Sequence, residues 1–429
     1  MLLPGKIESG LMYVCMLLTW MVIYSFGFYF VFRGSPPTTF VAMKDIIVLL
    51  FIGLGVGLQI LKGPLIRKTS TLAELRWFVI LFAISLLYAA IDIQRAGNLV
   101  ETVHGVRDFL MPLLILLVGF TVGNRRDLNL RLFVNFVSCL ALPILILGIY
   151  EHFCFAYEDV TRLGLVDQTR PFFLFLRTDV TGTTLPGIRA FGVFDSPLSM
   201  ALFCILSTFN AFVGWKWNRG TLRYLNALAF LLSVVALEMT YTRAGLVALA
   251  LAALMSARFK LRTYLFVCLP MAILMLAAIV RQTRGESSFD PSTVGHLLAY
   301  SDAYSYLYQK PLGYGASFAG TRVGQVPLDG DYLNIVLNFG PLGLVAFVYV
   351  YIHFYVRLRR IAAGPELFPA RFAARGAIAS YLIVMLVLMI YPTSPSWMFN
   401  LWLGVLLGAL STTKSTSVAA VYARASFAE

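Results

Sequence analysis

The sequence predicts an all-α integral membrane protein with about twelve transmembrane helices. Of the 429 residues, 59% are hydrophobic and 13% are charged, whereas soluble domains carry about 25% charged residues. The mean hydropathy is +0.80, so apolar segments dominate the whole chain. These segments are continuous rather than alternating, which favours helices over a closed barrel, the other structure that satisfies every backbone polar group in a bilayer.

Twelve apolar segments are candidate spans, and together they form one membrane domain over residues 1–429. Their bounds are 11–32, 46–61, 77–91, 109–123, 132–150, 198–215, 223–239, 244–257, 262–280, 333–356, 374–391 and 395–412. The first segment is too long for a signal-peptide core, so we expect it to be retained as a helix. Several segments are shorter than the about 20 residues that cross a bilayer. We expect these either to cross a thin region, to be extended by flanking residues, or to be shielded by neighbouring helices.

The distribution of charge predicts the orientation of the chain in the bilayer. The net charge is +13, but the basic residues lie in short loops, which indicates the positive-inside pattern rather than nucleic-acid binding. With both termini inside, the inner segments hold 21 of the 34 Lys and Arg residues and only 5 of the 21 Asp and Glu residues. Two long segments, 151–197 and 281–332, then lie on the periplasmic face of an inner membrane. The second is expected to contain an amphipathic helix over Pro291–Gln309, with apolar or aromatic side chains along one side at Leu297, Leu298, Tyr304, Leu307 and Tyr308.

Neither Arg189 nor Arg243 lies in an inner basic loop, so the topology rule does not explain these two arginines. Arg189 lies in the stretch 187–197 just before a candidate span, and Arg243 lies in a very short outer turn between two spans. An arginine at the membrane face suits a phosphate, because its rigid fork donates two parallel hydrogen bonds and keeps its charge. The alternative is an interfacial arginine that pairs with Asp195 or Glu238 or extends to the headgroups.

Two aspartates stand at the entrance of the tenth candidate span, after a glycine-rich stretch over 310–316. Asp329 and Asp331 are close enough to raise one another's pKa, and a carboxylate with a raised pKa can act as a general base. The alternative is a helix N-cap, in which the carboxylate accepts backbone N–H bonds. We expect Asp331 to be the cap and Asp329 to be the catalytic contact. Further candidate substrate contacts, chosen for their place on the outer side, are Asp195, Tyr241, Tyr314, Tyr332 and Arg107.

Other patterns have structural explanations. The glycines at 53 and 57 and at 404 and 408 form GxxxG patterns, which are typical of close helix packing in membranes. The four histidines and five cysteines show no metal-ligand spacing, and no phosphate loop follows a strand. The sequence therefore predicts no metal and no other cofactor. Arg107 and Asp108 form either a local ion pair or part of the polar site.

The order of these motifs resembles the O-antigen ligase and Wzy-type polysaccharide polymerase superfamily. An Arg-x-x-Gly-x-x-x-x-Pro stretch from Arg189 precedes a span, and Thr-Arg-Ala-Gly follows between two spans. A long outer loop then ends in Pro-Leu-Gly-x-Gly, before a helix with Tyr-Leu-x-x-x-x-x-x-Gly-x-x-Gly from Tyr332. The motifs fall within about residues 185–345, and the topology extends the resemblance over the whole chain.

The resemblance implies a metal-independent glycosyltransferase that takes its glycan from undecaprenyl diphosphate at the periplasmic face. It implies that Arg189 and Arg243 hold the diphosphate, and that a flippase and a chain-length co-polymerase are partners. Ligases of the superfamily carry a His-Asn pair where this chain has Asp329 and Gly330. That departure favours an exopolysaccharide polymerase, of the xanthan type, over a ligase that uses lipid A-core as acceptor.

A transporter of lipids or polysaccharides is the alternative from another class, because twelve spans suit it equally well. Transporters place charges near the bilayer midplane and show related halves. Here the unusual charges gather at the outer rim, and no internal repeat is visible in the sequence.

Overall fold

The computed structural model describes residues 71–96, 98–124, 129–163, 175–178, 184–194, 196–256, 291–319, 330–360, 367–385 and 394–425, with helical positions 46 and 50. The predicted spans 11–32 and 262–280, and all but two residues of 46–61, lie outside this part of the chain. So do the end of 374–391, the pattern at Gly53 and Gly57, and Asp195 and Asp329.

The described ranges contain eleven helices and one pair of strands. The helices are α1 (Thr71–Ala96), α2 (Leu99–Gly123), α3 (Leu130–Cys154), α4 (Tyr157–Arg162), α5 (Pro197–Trp217), α6 (Thr221–Met239), α7 (Arg243–Ser256), α8 (Pro291–Gln309), α9 (Asp331–Arg360), α10 (Phe368–Val384) and α11 (Ser394–Ala425). The strands are β1 (Leu176–Thr178) and β2 (Thr184–Ile188), which pair antiparallel. Within the described ranges the all-α prediction is therefore correct apart from this pair of strands, which lies inside the segment 151–197.

Five of the described helices, α2, α3, α5, α6 and α9, are long and apolar enough to cross a membrane. Shorter apolar helices cover 244–256 and 395–411. These helices support the membrane assignment, while the count of twelve spans stays a prediction. The helix predicted over Pro291–Gln309 is present with those bounds.

Two of the short predicted spans belong to longer helices, since 77–91 lies within α1 and 109–123 lies within α2. The segment 244–257 is not extended in this way, because the described part of α7 covers Arg243–Ser256. The segment 109–123 becomes the 25-residue helix α2, which begins at Leu99 because the side chain of Asn98 accepts hydrogen bonds from Val100 N and Glu101 N. A side-chain oxygen at the N-cap satisfies N–H groups that have no partner within the helix.

Helix α5 lies at the centre of the bundle and packs against α3, α6, α10 and α11. Helix α11 packs closely along α2, because Gly404 and Gly408 face Gly119 and Gly123. A Cβ atom at Gly404 would overlap the carbonyl oxygen of Leu116. The predicted packing role of the pattern at 404 and 408 is confirmed.

A buried chain of polar side chains fixes the neighbours of α5 at one end of the bundle. Asn210 of α5 accepts a hydrogen bond from Trp402 Nε1 at 2.9 Å and donates to Ser138 Oγ at 2.8 Å. Ser138 in turn donates to Asn226 Oδ1 at 2.7 Å. These bonds tie α3, α5, α6 and α11 together, and hydrogen bonds between helices specify their register where every surface is apolar.

Candidate functional site

Arg189 is hydrogen-bonded to the turn between α6 and α7, at the end of the bundle opposite Asn226. Its Nε donates to the carbonyl oxygen of Thr240 at 2.7 Å, and its Nη2 donates to Thr242 Oγ1 at 3.1 Å. The next residue continues the contact, since Ala190 N donates to Met239 O at 2.9 Å. The two segments that carry the predicted arginines are therefore joined directly, although they are about 50 residues apart in the sequence.

The turn itself has an unusual backbone. Tyr241 has a φ of +52°, the only positive φ of a non-glycine residue in the described part of the chain. That conformation costs an ordinary residue about 1–2 kcal/mol, and surrounding contacts must hold it. Thr240 Oγ1 donates to Leu237 O at 2.7 Å and accepts from Thr242 N at 3.3 Å, which closes the turn on itself.

Arg243 is the first residue of α7, directly after this turn. The structure places its backbone at the helix N-terminus, where the aligned peptide dipoles favour a negative partner. Its guanidinium lies outside the described part. The turn therefore brings the backbone of Arg243 and the side chain of Arg189 to the same end of the bundle.

Two residues that the sequence did not single out hold the Arg189 segment in place. Glu151 is fully buried, and its Oε2 accepts hydrogen bonds from Phe191 N at 3.1 Å and from Gly192 N at 2.6 Å. The neighbouring His152 donates from Nδ1 to Ile188 O at 2.8 Å, and its ring stacks on Tyr241 with centroids 5.8 Å apart. The only signal in the sequence was a polar pair at the end of the apolar segment 132–150.

Tyr241 was predicted as a substrate contact, and its side chain is 37% exposed beside His152. The side chain of Tyr241 can therefore be reached by solvent or by a ligand. Its role as a contact stays a prediction.

The glycine-rich stretch 310–316 packs against α9 and the ends of α1 and α2. Tyr314 N donates to Leu337 O at 2.7 Å, and Gly315 N donates to Asn338 O at 3.1 Å. A Cβ atom at Gly315 would lie 2.8 Å from Asp92 in α1. The glycines thus allow close backbone contacts, and the helix α9 breaks at Gly340, which has a φ of +65°.

Tyr314, a candidate substrate contact, is buried in this packing. Its ring stacks on Phe318 with centroids 3.9 Å apart, and its hydroxyl donates to Tyr306 O at 3.0 Å. These contacts give it a structural explanation.

The aspartate region differs from the prediction in one respect. The helix begins at Asp331 itself, and the carbonyl oxygen of Gly330 accepts a hydrogen bond from Asn334 N at 3.2 Å. Gly330 therefore stands at the N-cap position that we predicted for Asp331. The carboxylate of Asp331 is still in the first turn, where the helix dipole favours it.

Asp331 is fully buried and lies near the end of α10, since its N–H donates to Met385 O at 3.1 Å. The neighbouring Tyr332, another candidate contact, donates from its hydroxyl to Leu382 O at 2.7 Å. Asp331 therefore meets no solvent in this structure, and Asp329 lies outside the described part.

The antiparallel packing of α7 and α10 shows where Asp331 lies relative to Arg243. Arg375 of α10 donates to the carbonyl oxygens of Met255 and Ser256, and Ser380 donates to Ala248 O at 3.4 Å. Met385 is five residues after Ser380, and Arg243 is five residues before Ala248. Because the two helices run antiparallel and both rise about 1.5 Å per residue, Met385 lies level with the start of α7. Asp331 therefore lies at the same end of the bundle as the turn that carries Arg243.

Arg107 forms an ion pair with the adjacent Asp108, with Nη2 and Oδ1 2.7 Å apart. Asp108 is buried, and its Oδ1 accepts hydrogen bonds from both Nε and Nη2 of Arg107. A second buried carboxylate, Asp92, accepts hydrogen bonds from Arg95 at 2.8 Å and from Thr102 at 2.7 Å. The sequence left two explanations for Arg107, a local ion pair or a part of the polar site, and the local ion pair is present in the structure.

Within the described ranges, no group of three His, Cys, Asp or Glu side chains is arranged as a metal site. The described cysteines, Cys139, Cys154 and Cys204, are free thiols. The sequence matches no family model and no curated protein. The functional assignment therefore depends on the motifs and on the geometry around Arg189.

Proposed function

We propose that this protein is a polysaccharide polymerase that transfers a growing glycan from undecaprenyl diphosphate to a lipid-linked repeat unit. The observation that carries the proposal is the pair of hydrogen bonds from the Arg189 guanidinium to Thr240 and Thr242, directly before Arg243. Two arginine-bearing segments that meet at one turn suit a diphosphate, which needs more than one fixed cation. In the proposed topology, this end of the bundle faces the periplasm, and both termini face the cytoplasm.

The proposed reaction is a direct displacement at the anomeric carbon of the donor glycan. A sugar hydroxyl of the acceptor attacks that carbon, while the bond from the carbon to the diphosphate oxygen breaks and its electron pair leaves with the diphosphate. The hydroxyl proton passes to a carboxylate, for which Asp329 is proposed. Arg189 and Arg243 stabilise the negative charge that develops on the leaving group, and the anomeric configuration is inverted.

Purified protein in vesicles, given only an undecaprenyl diphosphate-linked repeat unit, is expected to make a ladder of polymer. It should do so without nucleotide and with EDTA present, because the leaving diphosphate already carries the energy of transfer and the arginines supply the positive charge. Gel electrophoresis of the labelled glycan measures the ladder.

The same experiment separates the alternatives. Transfer only after lipid A-core is added would assign the chain as a ligase. Movement of the lipid-linked glycan across the vesicle without any new glycosidic bond would assign a transporter. Polymer that disappears with EDTA and returns with magnesium would overturn the metal-independent mechanism.

The roles of the two aspartates are separable by asparagine substitution. Asp329→Asn is expected to lose most polymer, because asparagine cannot accept a proton. Asp331→Asn is expected to be milder, since asparagine keeps the side-chain shape and still accepts hydrogen bonds in the first turn of a helix. Polymer made at matched protein level is the measurement. An inactive Asp331→Asn beside an active Asp329→Asn reverses the assignment, and two active variants show that neither aspartate is the base.

A further inference from the structure

Helix α8 has three distinct flanks. One flank packs on the protein: Ala303 is fully buried, and Tyr306 and Leu307 pack with it against Tyr314 and Phe318. A second flank is polar and exposed, and its members are Ser301, Asp302, Ser305 and Gln309. We call these residues the polar flank.

The third flank is aromatic and exposed. Tyr300, Tyr304 and Tyr308 are 42%, 73% and 82% exposed. Residues four apart lie above one another on a helix, so the three rings form one row, which we call the tyrosine flank. The sequence predicted Tyr304, Leu307 and Tyr308 along one side of this helix. Within that side, Tyr304 and Tyr308 point away from the protein, while Leu307 packs on it.

The tyrosine flank is continuous with a row of exposed apolar side chains on α9. Leu312 follows α8 and is 76% exposed. Its carbonyl oxygen accepts a hydrogen bond from the hydroxyl of Tyr88 in α1, and it lies so close to Gly340 that a Cβ atom there would overlap it. Two residues further along α9, Leu342 is 57% exposed.

Leu342 begins a row of exposed apolar side chains on α9. Val345, Tyr349 and Ile352 follow it at helical spacing, with exposures of 64%, 40% and 45%. Helix α9 is long and apolar enough to cross a membrane, and an exposed apolar row on such a helix faces lipid. Leu312 follows the tyrosine flank and lies beside Gly340, so the flank ends at the height where this lipid-facing row begins.

We infer that the tyrosine flank and Leu312 lie in the headgroup region of the bilayer and anchor α8 to the membrane surface. Tyrosine prefers this region, because its ring enters the apolar layer while its hydroxyl stays hydrated. The polar flank then faces the water. The bilayer interface is a suitable environment for a row of exposed aromatic side chains beside a lipid-facing helix, because it is both apolar and hydrated.

Fluorescence quenching tests this inference without any assay of activity. Single cysteines are placed by Tyr308→Cys on the tyrosine flank and by Ser305→Cys on the polar flank. The full-length chain carries alanine at its five native cysteines, and the protein is labelled with bimane and reconstituted in phosphatidylcholine and phosphatidylglycerol vesicles. Iodide reports contact with water, and a nitroxide on the lipid headgroup reports contact with the interface.

The label at position 308 is expected to be quenched several-fold more by the headgroup nitroxide than the label at 305, and several-fold less by iodide. Both labels lie on one helix, so the orientation of the protein in the vesicles affects them equally. Tyr304→Cys should repeat the result for position 308, and Val345→Cys gives the lipid-facing reference. Equal access of iodide to 308 and 305, or protection of 308 from both quenchers, overturns the inference.

Discussion

Replacement of Arg243 by alanine is expected to abolish polymer formation while the protein still inserts and accumulates. Removal of one preorganised donor at a site of developing negative charge costs about 100- to 1,000-fold in rate. Alanine is the best helix former, so α7 should still begin at this position. Polymer yield in cells that express matched amounts of each variant measures the effect.

Arg223→Ala is the matched control. Arg223 is an exposed arginine at the opposite end of α6 from the turn, so the same change of charge should leave the polymer normal. Arg243→Lys should rescue little, because a point charge does not reproduce the bidentate fork of the guanidinium. Normal polymer from Arg243→Ala would remove the diphosphate role of this residue.

The sequence predicted several of the described helices but not which of them are neighbours. Helix α8 has its predicted bounds, and the glycines at 404 and 408 pack as predicted, because local periodicity and small residues report local structure. The sequence did not reveal that Glu151 holds the segment after β2. In a membrane protein, lipid-facing and protein-facing positions are both apolar, so hydrophobicity does not say which helices are neighbours.

In the candidate site too, the sequence identified residues but not the contacts between them. Composition and topology alone separated Arg189 and Arg243 from the basic residues of the inner loops. The hydrogen bonds from Arg189 to Thr240 and Thr242 could not be predicted, because they join positions about 50 residues apart through a turn with a strained tyrosine. The N-cap was assigned to Asp331 instead of Gly330 because a short polar side chain is the common cap, whereas here the backbone of a glycine takes that position.

Replacement of Arg189 by alanine is expected to reduce polymer formation about 10- to 150-fold, the effect of losing a hydrogen bond to a charged group worth about 1.5–3 kcal/mol. The backbone bonds from Arg189 N to Phe175 O and from Ala190 N to Met239 O do not involve the side chain. The segment should therefore keep its path, and the variant should accumulate normally.

Thr242→Val separates a role of Arg189 in the reaction from a role in holding the turn. Valine has nearly the shape of threonine but removes the hydroxyl that accepts from Arg189 Nη2, while the bond from Nε to Thr240 O remains. If Arg189 binds the diphosphate, Thr242→Val should keep most of the polymer that Arg189→Ala loses, even where the two proteins lose similar thermal stability in detergent. If Arg189 only supports the turn, both variants should unfold at lower temperature and lose polymer in proportion, because each weakens the contact between the segment after β2 and the start of α7.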